Sequence, residues 1–319
     1  MKKNIAFAFL VFGGILALSS CKDDDMEVYV GDNFFTDRQA IIDEINALTY
    51  PQGFTESDDK HPEYKNMDPE VYTDKKTTEG RRIEGYYGYV DLGLSVKWAS
   101  SNLGSVSPVT EHKTLEQTLQ ELEDDLGIQP MEKPSFTKNS TYPTTMTYEE
   151  YLKSMDIREL YSAYNRYNNY CSAKKSAHED AILRYNRTQY ENHNYLFAVG
   201  DGYPWGGLGM WDYLGTKEAP MDIAGNAEFD VATYILGEGW SMPTKAQWQE
   251  LIDKCQWEKH VGYYVVTGPS GKSIVLPCAW YNTSERTDRE VYNLYLDDSK
   301  EFKLGDYRNR FSIRPVHTK

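Results

Sequence analysis

The spacing of apolar residues predicts several helices. The first covers residues 37–48, where isoleucine and leucine side chains recur every three to four positions and Thr36 is the expected N-cap. Two more fall between residues 105 and 195, one marked by regularly spaced leucines and one running from Tyr148 to about Tyr190. The spaced leucines are Leu115, Leu119, Leu122 and Leu126.

The clearest helix start lies in the C-terminal half. Thr244 and Gln247 form a capping box, in which a hydroxyl and an amide each satisfy a free backbone N–H group. Trp248, Leu251 and Ile252 then fall on one helical face. We therefore predict a helix that begins just after Thr244 and buries Trp248, with Trp240 buried beside it.

Runs of aromatic and β-branched residues between turn residues predict strands. They lie on both sides of Gly93 within 86–99, at 195–199, at 263–267 and 272–276, at 291–296 and at 311–316. The pair that flanks residues 268–271 has the pattern of a β-hairpin. This mixture predicts an α+β fold of short antiparallel strands with a helical insertion at about 105–195.

The N-terminus has the pattern of an export signal. Lys2 and Lys3 precede an uncharged stretch over residues 5–18, about 14 residues long and too short for the roughly 20 needed to span a bilayer. Small residues then lead to Cys21, and the acidic run 22–25 follows. Residues 1–20 are therefore predicted to be a signal peptide.

Cys21 and its neighbours resemble a bacterial lipobox, whose cysteine is diacylated and becomes the new N-terminus. The sequence KDDD after it resembles the export tag of surface lipoproteins in Bacteroidetes-type bacteria. This resemblance implies lipidation of Cys21 with fatty acids such as palmitate, and a position on the outer membrane facing the cell exterior. The alternative is an ordinary signal peptide followed by a coincidental cysteine.

The net charge of the chain restricts the classes of molecule that it is expected to bind. The formal net charge is −15 and the isoelectric point is about 4.9. Nucleic-acid binding needs a basic patch, so it is disfavoured. Direct adhesion to anionic lipid is disfavoured too, and stable anchoring then requires more than one acyl chain. An exported chain also lacks a supply of cytoplasmic ATP or NAD, so we expect no cofactor.

The domain plan follows from these patterns. Residues 21–85 are expected to be an acidic tag and tether with one short helix, and residues 51–82 within them a spacer. Residues 86–319 are expected to be the folded domain that carries the insertion. Its tyrosine stripe, Tyr161, Tyr164 and Tyr167, is interpreted as packing rather than as a ligand platform. Cys255 and Cys278 are able to pair, and two free thiols fit the sequence equally well.

Ordered motifs in this domain resemble one family. They are residues 90–99 (VDLGLSVKWA), 229–232 (FDVA), 239–245 (GWSMPTK) running into 248–251 (WQEL), 274–277 (IVLP) and 312–316 (SIRPV). Together they resemble the Fibrobacter succinogenes major paralogous domain family over roughly 86–104 and 195–316. The resemblance implies a C-type-lectin-like fold, which formylglycine-generating enzymes also use, and it places Arg314 in a structural strand.

No catalytic constellation stands out in the sequence. The Gly271-Lys272-Ser273 run lies between two strands, whereas a phosphate loop leads from a strand into a helix. Zinc motifs with His-Glu-x-x-His or paired Cys-x-x-Cys spacing are absent. Cys171, His178 and His193 lack an orienting third group, so their proximity is interpreted as coincidence. We therefore expect no catalysis and no bound metal, calcium included.

The remaining prediction is a binding module. The chain has 26 Tyr and 7 Trp, and such rings supply rigid contact area at recognition surfaces. Loops around the last strands, within residues 280–310, are rich in Tyr, Trp and Arg, the residue types enriched at binding hot spots. The predicted ligand-binding residues are Trp280, Tyr281, Arg286, Tyr292, Tyr295, Tyr307, Arg308 and Arg310.

The sequence thus favours a non-catalytic surface lipoprotein that displays a lectin-like module for a glycan or a protein ligand. Two alternatives stay open. One is an enzyme of the formylglycine-generating type, which needs a reactive thiol. The other is a fimbria-like structural or assembly subunit, which needs self-association.

Overall fold

The computed structural model describes residues 28–30, 33–35, 38–69, 71–72, 76–77, 84–134, 147, 150, 154–212 and 219–318. Within these residues the fold is α+β with several antiparallel sheets. The helices are α1 Arg38–Ala47, α2 Leu115–Asp125, α3 Ile157–His193, α4 Val231–Leu236 and α5 Lys245–Lys254. Short 3-10 turns cover Glu56–Asp58, Pro62–Asn66 and Asn194–Phe197.

The strands are short, and most hold only two or three residues. They are β1 Val28–Val30, β2 Asn33–Phe35, β3 Val71–Tyr72, β4 Lys76–Thr77, β5 Glu84–Gly85, β6 Gly88–Val90, β7 Lys97–Ala99, β8 Tyr203–Pro204, β9 Trp240–Ser241, β10 Gln256–His260, β11 Tyr263–Thr267, β12 Ser273–Pro277, β13 Ala279–Arg286, β14 Val291–Leu296, β15 Lys300–Gly305, β16 Arg310–Phe311 and β17 Val316–His317.

The chain divides into two compact units. The first unit comprises residues up to 50 together with 128–175, and the second comprises 51–127 and 176–319. In the first unit, the isoleucines of α1 pack with Leu160 and Tyr167 from α3. Tyr161 and Tyr164 lie partly buried against the same cluster, so the predicted packing role of the tyrosine stripe is confirmed.

A five-stranded sheet forms one part of the second unit. Its strand order is β3-β6-β7-β17-β9. Strand β17 pairs with both β7 and β9, because Val316 lies opposite both Trp98 and Ser241. The chain end is therefore fixed between an early strand and the strand that precedes α5.

The other sheets of the described residues are two antiparallel meanders, β10-β11-β12 and β13-β14-β15, and three two-stranded sheets, β1-β2, β4-β5 and β8-β16. The predicted hairpin around residues 268–271 is confirmed as β11 and β12, with Val266 opposite Ile274. Gly271 has φ of +82°, a backbone conformation that favours glycine in such a turn. The predicted strand 291–296 is confirmed as β14, the central strand of the second meander.

Helix α5 begins as predicted. The Thr244 hydroxyl accepts a hydrogen bond from the Gln247 backbone N–H at 3.2 Å, and the Gln247 amide oxygen accepts one from the Thr244 N–H at 2.9 Å. Trp248 is fully buried and Trp240 is 3% exposed, which confirms both predictions. The Trp248 ring lies 4.7 Å from the Trp98 ring, centroid to centroid. The capped helix thus carries one of the largest side chains of this core.

Several predicted elements were wrong. Residues 195–199 do not form a strand: the 3-10 turn Asn194–Phe197 covers their first part and irregular backbone follows, while Tyr195 and Leu196 pack into a core cluster with Val275. The predicted strand 311–316 is interrupted: β16 and β17 are separated by buried irregular backbone, in which Arg314 donates to the carbonyls of Ala99 and Val275.

The two compact units divide the chain differently from the predicted domain plan. The described residues of the predicted spacer, 51–69, 71–72 and 76–77, belong to the second unit, and Tyr64 and Met67 among them are buried. The predicted insertion is divided, because α2 belongs to the second unit while 128–175 belong to the first. Cys21 and Thr36 lie outside the described residues. No helix within the described ranges is long and apolar enough to cross a bilayer.

Candidate functional site

A cleft of about 640 Å³ opens on the second unit at the turn between β13 and β14. It is lined by Trp205, Arg286, Asp288, Arg289, Glu290, Val291 and Tyr307. Strand β13 ends at Arg286 and β14 begins at Val291, so the charged residues between them form one wall. Trp205 is 1% exposed and therefore contributes only a small part of the cleft surface. The cleft contains residues of both charge signs together with aromatic rings.

Arg286 is fixed in this cleft by the backbone around it. Its Nη2 donates to the Ala219 carbonyl at 2.6 Å, and its Nε donates to the Pro220 carbonyl at 3.3 Å. The guanidinium carbon lies 5.7 Å from the Trp205 ring centroid, within range of a cation–π interaction. Trp205 is itself held by its indole N–H, which donates to the Thr283 carbonyl at 3.1 Å. Such a pre-positioned cation–aromatic pair loses little side-chain entropy when a ligand binds.

An exposed aromatic residue that was not predicted from the sequence lies in the segment that follows Trp205. Trp211 is 68% exposed, and the Arg310 guanidinium lies 4.7 Å from its ring centroid. Arg310 pairs with Pro204 across β16 and β8, and Trp205 donates its backbone N–H to the Tyr307 carbonyl. In the sequence, Trp211 follows a glycine-rich turn region, and this pattern does not indicate whether the Trp211 ring is exposed.

A second set of predicted residues lies on the β13–β15 meander. The Trp280 ring packs between Tyr295 and Phe311, at centroid distances of 4.7 and 5.2 Å. Lys303 Nζ lies 4.7 Å from the Tyr295 centroid. Tyr292, half-buried, has Lys245 Nζ 4.4 Å above its ring. These rings mainly interact with one another and with lysines, and none of them lines the cleft.

One predicted binding residue must be withdrawn. Tyr281 is fully buried, and its hydroxyl donates to the Pro277 carbonyl at 2.8 Å. It lies in the middle of β13, where residues 281–284 are all buried. Its phenol ring packs 5.2 Å from Trp248, so Tyr281 supports the core instead of a ligand.

Arg308 is exposed, but its guanidinium group is already paired with a neighbouring carboxylate. Its Nε and Nη2 donate to the two carboxylate oxygens of Asp306 at 2.9 and 2.5 Å. This bidentate pair lowers the pKa of Asp306 to about 2. Of the predicted residues, Arg286 and Tyr307 line the cleft, Arg310 contacts Trp211, and Arg308 pairs locally.

The cysteines that the structure describes are free thiols: Cys171, Cys255 and Cys278. Burial is the main reason that the pKa of Cys255 is raised to about 11, and burial also raises the pKa of Cys278. A raised pKa leaves little thiolate at neutral pH, and the thiolate is the nucleophilic form.

The structure also brings together three residues that are far apart in the sequence. Asp68 follows the Pro62–Asn66 turn, His112 precedes α2, and His193 ends α3. The Nε2 atoms of His193 and His112 lie 2.8 and 3.4 Å from Asp68 Oδ1. Burial lowers the pKa of His112, an effect that Asp68 partly opposes. This cluster could not be found from the sequence, because its residues fit no local motif.

Comparisons of the chain with family models, with curated proteins and with solved structures find no match.

Proposed function

We propose that this protein is a non-catalytic, lipid-anchored surface protein of the outer membrane, whose second unit is a C-type-lectin-like module that binds a glycan. The observation that carries the proposal is the cleft lined by Arg286, Arg289 and Tyr307. A polyhydroxylated ligand suits such a surface, because charged side chains hydrogen-bond to hydroxyl groups while aromatic rings contact the sugar faces. A protein ligand is the alternative outcome of the same experiment.

The positions of the family-like motifs indicate that scaffold residues and ligand-binding residues are separate sets. Motif residue Asp230 is fully buried, and the 239–245 motif supplies β9 and the cap of α5. Arg314, from the last motif, is also fully buried. The motif residues thus pack the scaffold, while the cleft residues lie outside the motifs. A display module is expected to have a buried scaffold and a binding site built from other segments.

The thiols argue against the enzyme alternative. A formylglycine-generating type of chemistry needs an accessible, activated cysteine. Cys255 and Cys278 are half-buried, and the pKa of each is raised, which is the opposite of activation.

A glycan array screened with the purified full chain in detergent tests the proposal. Tyr307→Ala and Arg289→Ala should each weaken the binding of any array hit by about tenfold or more, which corresponds to the loss of a contact of about 1.4 kcal/mol. The melting temperature of Arg289→Ala should stay close to that of the wild type, since Arg289 is exposed. That of Tyr307→Ala should fall modestly, because Tyr307 is partly buried against a core cluster, so its binding is compared at a temperature where the variant is folded.

Matched controls lie on the exposed surface of α3. Tyr190 is 58% exposed, and the Arg187 side chain is 80% exposed. Tyr190→Ala and Arg187→Ala should leave binding unchanged. If these variants lose binding while the cleft variants keep it, the ligand site lies on the helix and the proposed cleft is wrong. Hits on a protein array, with none on the glycan array, would replace the glycan by a protein ligand.

A further inference from the structure

We propose that Asp68, His112 and His193 form a binding site for a divalent transition metal, with Zn²⁺ as the expected ion. All three residues belong to the second unit, and their ligand atoms lie within 4.8 Å of one another. This site is separate from the cleft, since the two share no residue. It replaces the sequence-based expectation that no metal is bound.

The hydrogen bonding of His193 supplies the first argument. Its Nδ1 lies 2.7 Å from the Gln189 carbonyl oxygen. A carbonyl oxygen only accepts hydrogen bonds, so Nδ1 carries a proton. In the neutral ring, Nε2 then presents a lone pair, and this lone pair points at Asp68 Oδ1 only 2.8 Å away. Two electron-rich atoms at that distance need a metal cation or a proton between them.

His112 distinguishes these two possibilities. Its Nδ1 and Nε2 atoms are both buried, and neither has a hydrogen-bond partner in the described part of the chain. Its Nε2 lies 3.4 Å from Asp68 Oδ1 without forming a hydrogen bond. If His193 and Asp68 form only an ion pair, the two buried ring nitrogens of His112 stay unsatisfied, at a cost of about 1–3 kcal/mol each. A metal ion bound by Nε2 of His112, Nε2 of His193 and Oδ1 of Asp68 satisfies one of them directly.

The geometry is close to what zinc requires. Zinc lies about 2.0–2.1 Å from nitrogen and oxygen ligands, which places tetrahedral ligand atoms about 3.4 Å apart. The separation between His112 and Asp68 already has this value, that between His193 and Asp68 is 2.8 Å, and all the ligand atoms lie within 4.8 Å of one another. The His193 ring is held in place by stacking on Tyr64 at a centroid distance of 4.4 Å. The His112 ring stacks on His193 at a centroid distance of 4.7 Å and has to turn before one ion can lie in the planes of both rings.

The ligand set indicates the class of metal. Two imidazoles and one carboxylate suit borderline ions such as Zn²⁺, whereas Ca²⁺ and Mg²⁺ prefer oxygen ligands only. The Nδ1–H group of His193 donates to a backbone carbonyl, the outer contact that orients most metal-bound histidines. Three protein ligands leave a fourth position for water or for an external ligand.

Metal titration of the purified full chain, stripped with a chelator, tests this inference. Calorimetry with Zn²⁺ should show one equivalent bound per chain. Titration with Co²⁺ should give visible d–d bands without the intense charge-transfer band that a thiolate ligand produces. Asp68→Asn and His193→Gln should each weaken Zn²⁺ binding by more than about 100-fold, since the loss of an outer contact alone costs about 10–100-fold.

A histidine on the same helix provides the matched control. His178 is 9% exposed, and its Nε2 lies 2.8 Å from the Gly53 carbonyl oxygen, far in sequence from the proposed ligands. His178→Gln should keep wild-type metal affinity. Zn²⁺ should raise the melting temperature of the wild type and of His178→Gln, and it should not raise that of Asp68→Asn.

X-ray absorption at the zinc edge on the wild type covers the case in which a variant fails to fold. It should show a first shell of nitrogen and oxygen with the outer-atom scattering of two imidazoles. The inference is overturned if the wild type binds no Zn²⁺, if the shell contains sulfur, or if Asp68→Asn and His193→Gln, folded by circular dichroism, bind Zn²⁺ as the wild type does.

Discussion

Asp230 is an example of one side chain that holds several backbone segments together. Its Oδ1 accepts from the N–H groups of Ala232 and Thr233 at the start of α4. Its Oδ2 accepts from Gly225 and from Met242, the latter next to β9. The carboxylate is thus fully buried and still well satisfied, which explains why an acidic residue occupies this motif position.

Asp306 leads to a prediction at the same scale. The hydrogen bonds from Arg308 lower its folded-state pKa from the ordinary 3.8 to about 2. A lowered pKa means that the interaction favours the folded state above pH 3.8 and is lost as the pH falls through about 2. In a carbon-13 NMR titration, Arg308→Ala should move the Asp306 midpoint back toward 3.8, whereas Arg289→Ala should not. Equal midpoints in the wild type and Arg308→Ala would contradict the bidentate pair.

At the scale of elements, α5 shows how local and tertiary preferences agree. The capping box fixes where the helix begins, and the apolar face places Trp248 and Leu251 in the core beside Trp98 and Tyr281. The segment 195–199 shows the opposite case. Its aromatic and β-branched residues favour a strand, yet its first three residues belong to the 3-10 turn Asn194–Phe197, because burying Tyr195 and Leu196 against Val275 outweighs local β-propensity.

Trp248→Ala tests the importance of α5. Removing a fully buried tryptophan should lower the free energy of unfolding by about 3–5 kcal/mol. Trp211→Ala, at a position 68% exposed, should lower it by less than about 1 kcal/mol. Urea unfolding followed by far-UV circular dichroism measures both variants. Similar losses in the two variants would show that Trp248 is not part of the stabilising core.

At the scale of the whole molecule, the two units combine segments that are far apart in sequence. Residues 51–69 pack in the second unit and α1 packs in the first, so both α1 and the described part of the predicted spacer belong to compact units. The proposed lipid anchor, Cys21, lies 17 residues before Arg38, where α1 begins. A net charge of −15 disfavours electrostatic attraction to anionic lipid, so the proposed anchoring depends on the acyl chains.

Cys21→Ser tests the anchor. The variant should lose labelling by radioactive palmitate and leave the membrane fraction, since no acyl chain can then be attached. Cys255→Ser, which changes a half-buried thiol, should keep both labelling and membrane association. Palmitate labelling of the Cys21→Ser variant would show that the lipobox interpretation is wrong.

The sequence by itself determined the local elements: the cap and apolar face of α5, the β11–β12 hairpin, β14, and the helix that carries Ile41, Ile42 and Ile45. These features depend on the 3.6- and 2-residue periodicities and on turn chemistry, which are short-range properties. It also indicated the segment that contributes Arg286 and Tyr307 to the cleft.

Only the tertiary structure decided which side of each strand faces the core, and so that Tyr281 is buried while Tyr307 lines a cleft. It also decided that Asp68, His112 and His193 meet. Such contacts join residues from separate segments, and the free energy that selects them comes from burial summed over the whole unit. No local pattern in the sequence determines this total free energy of burial.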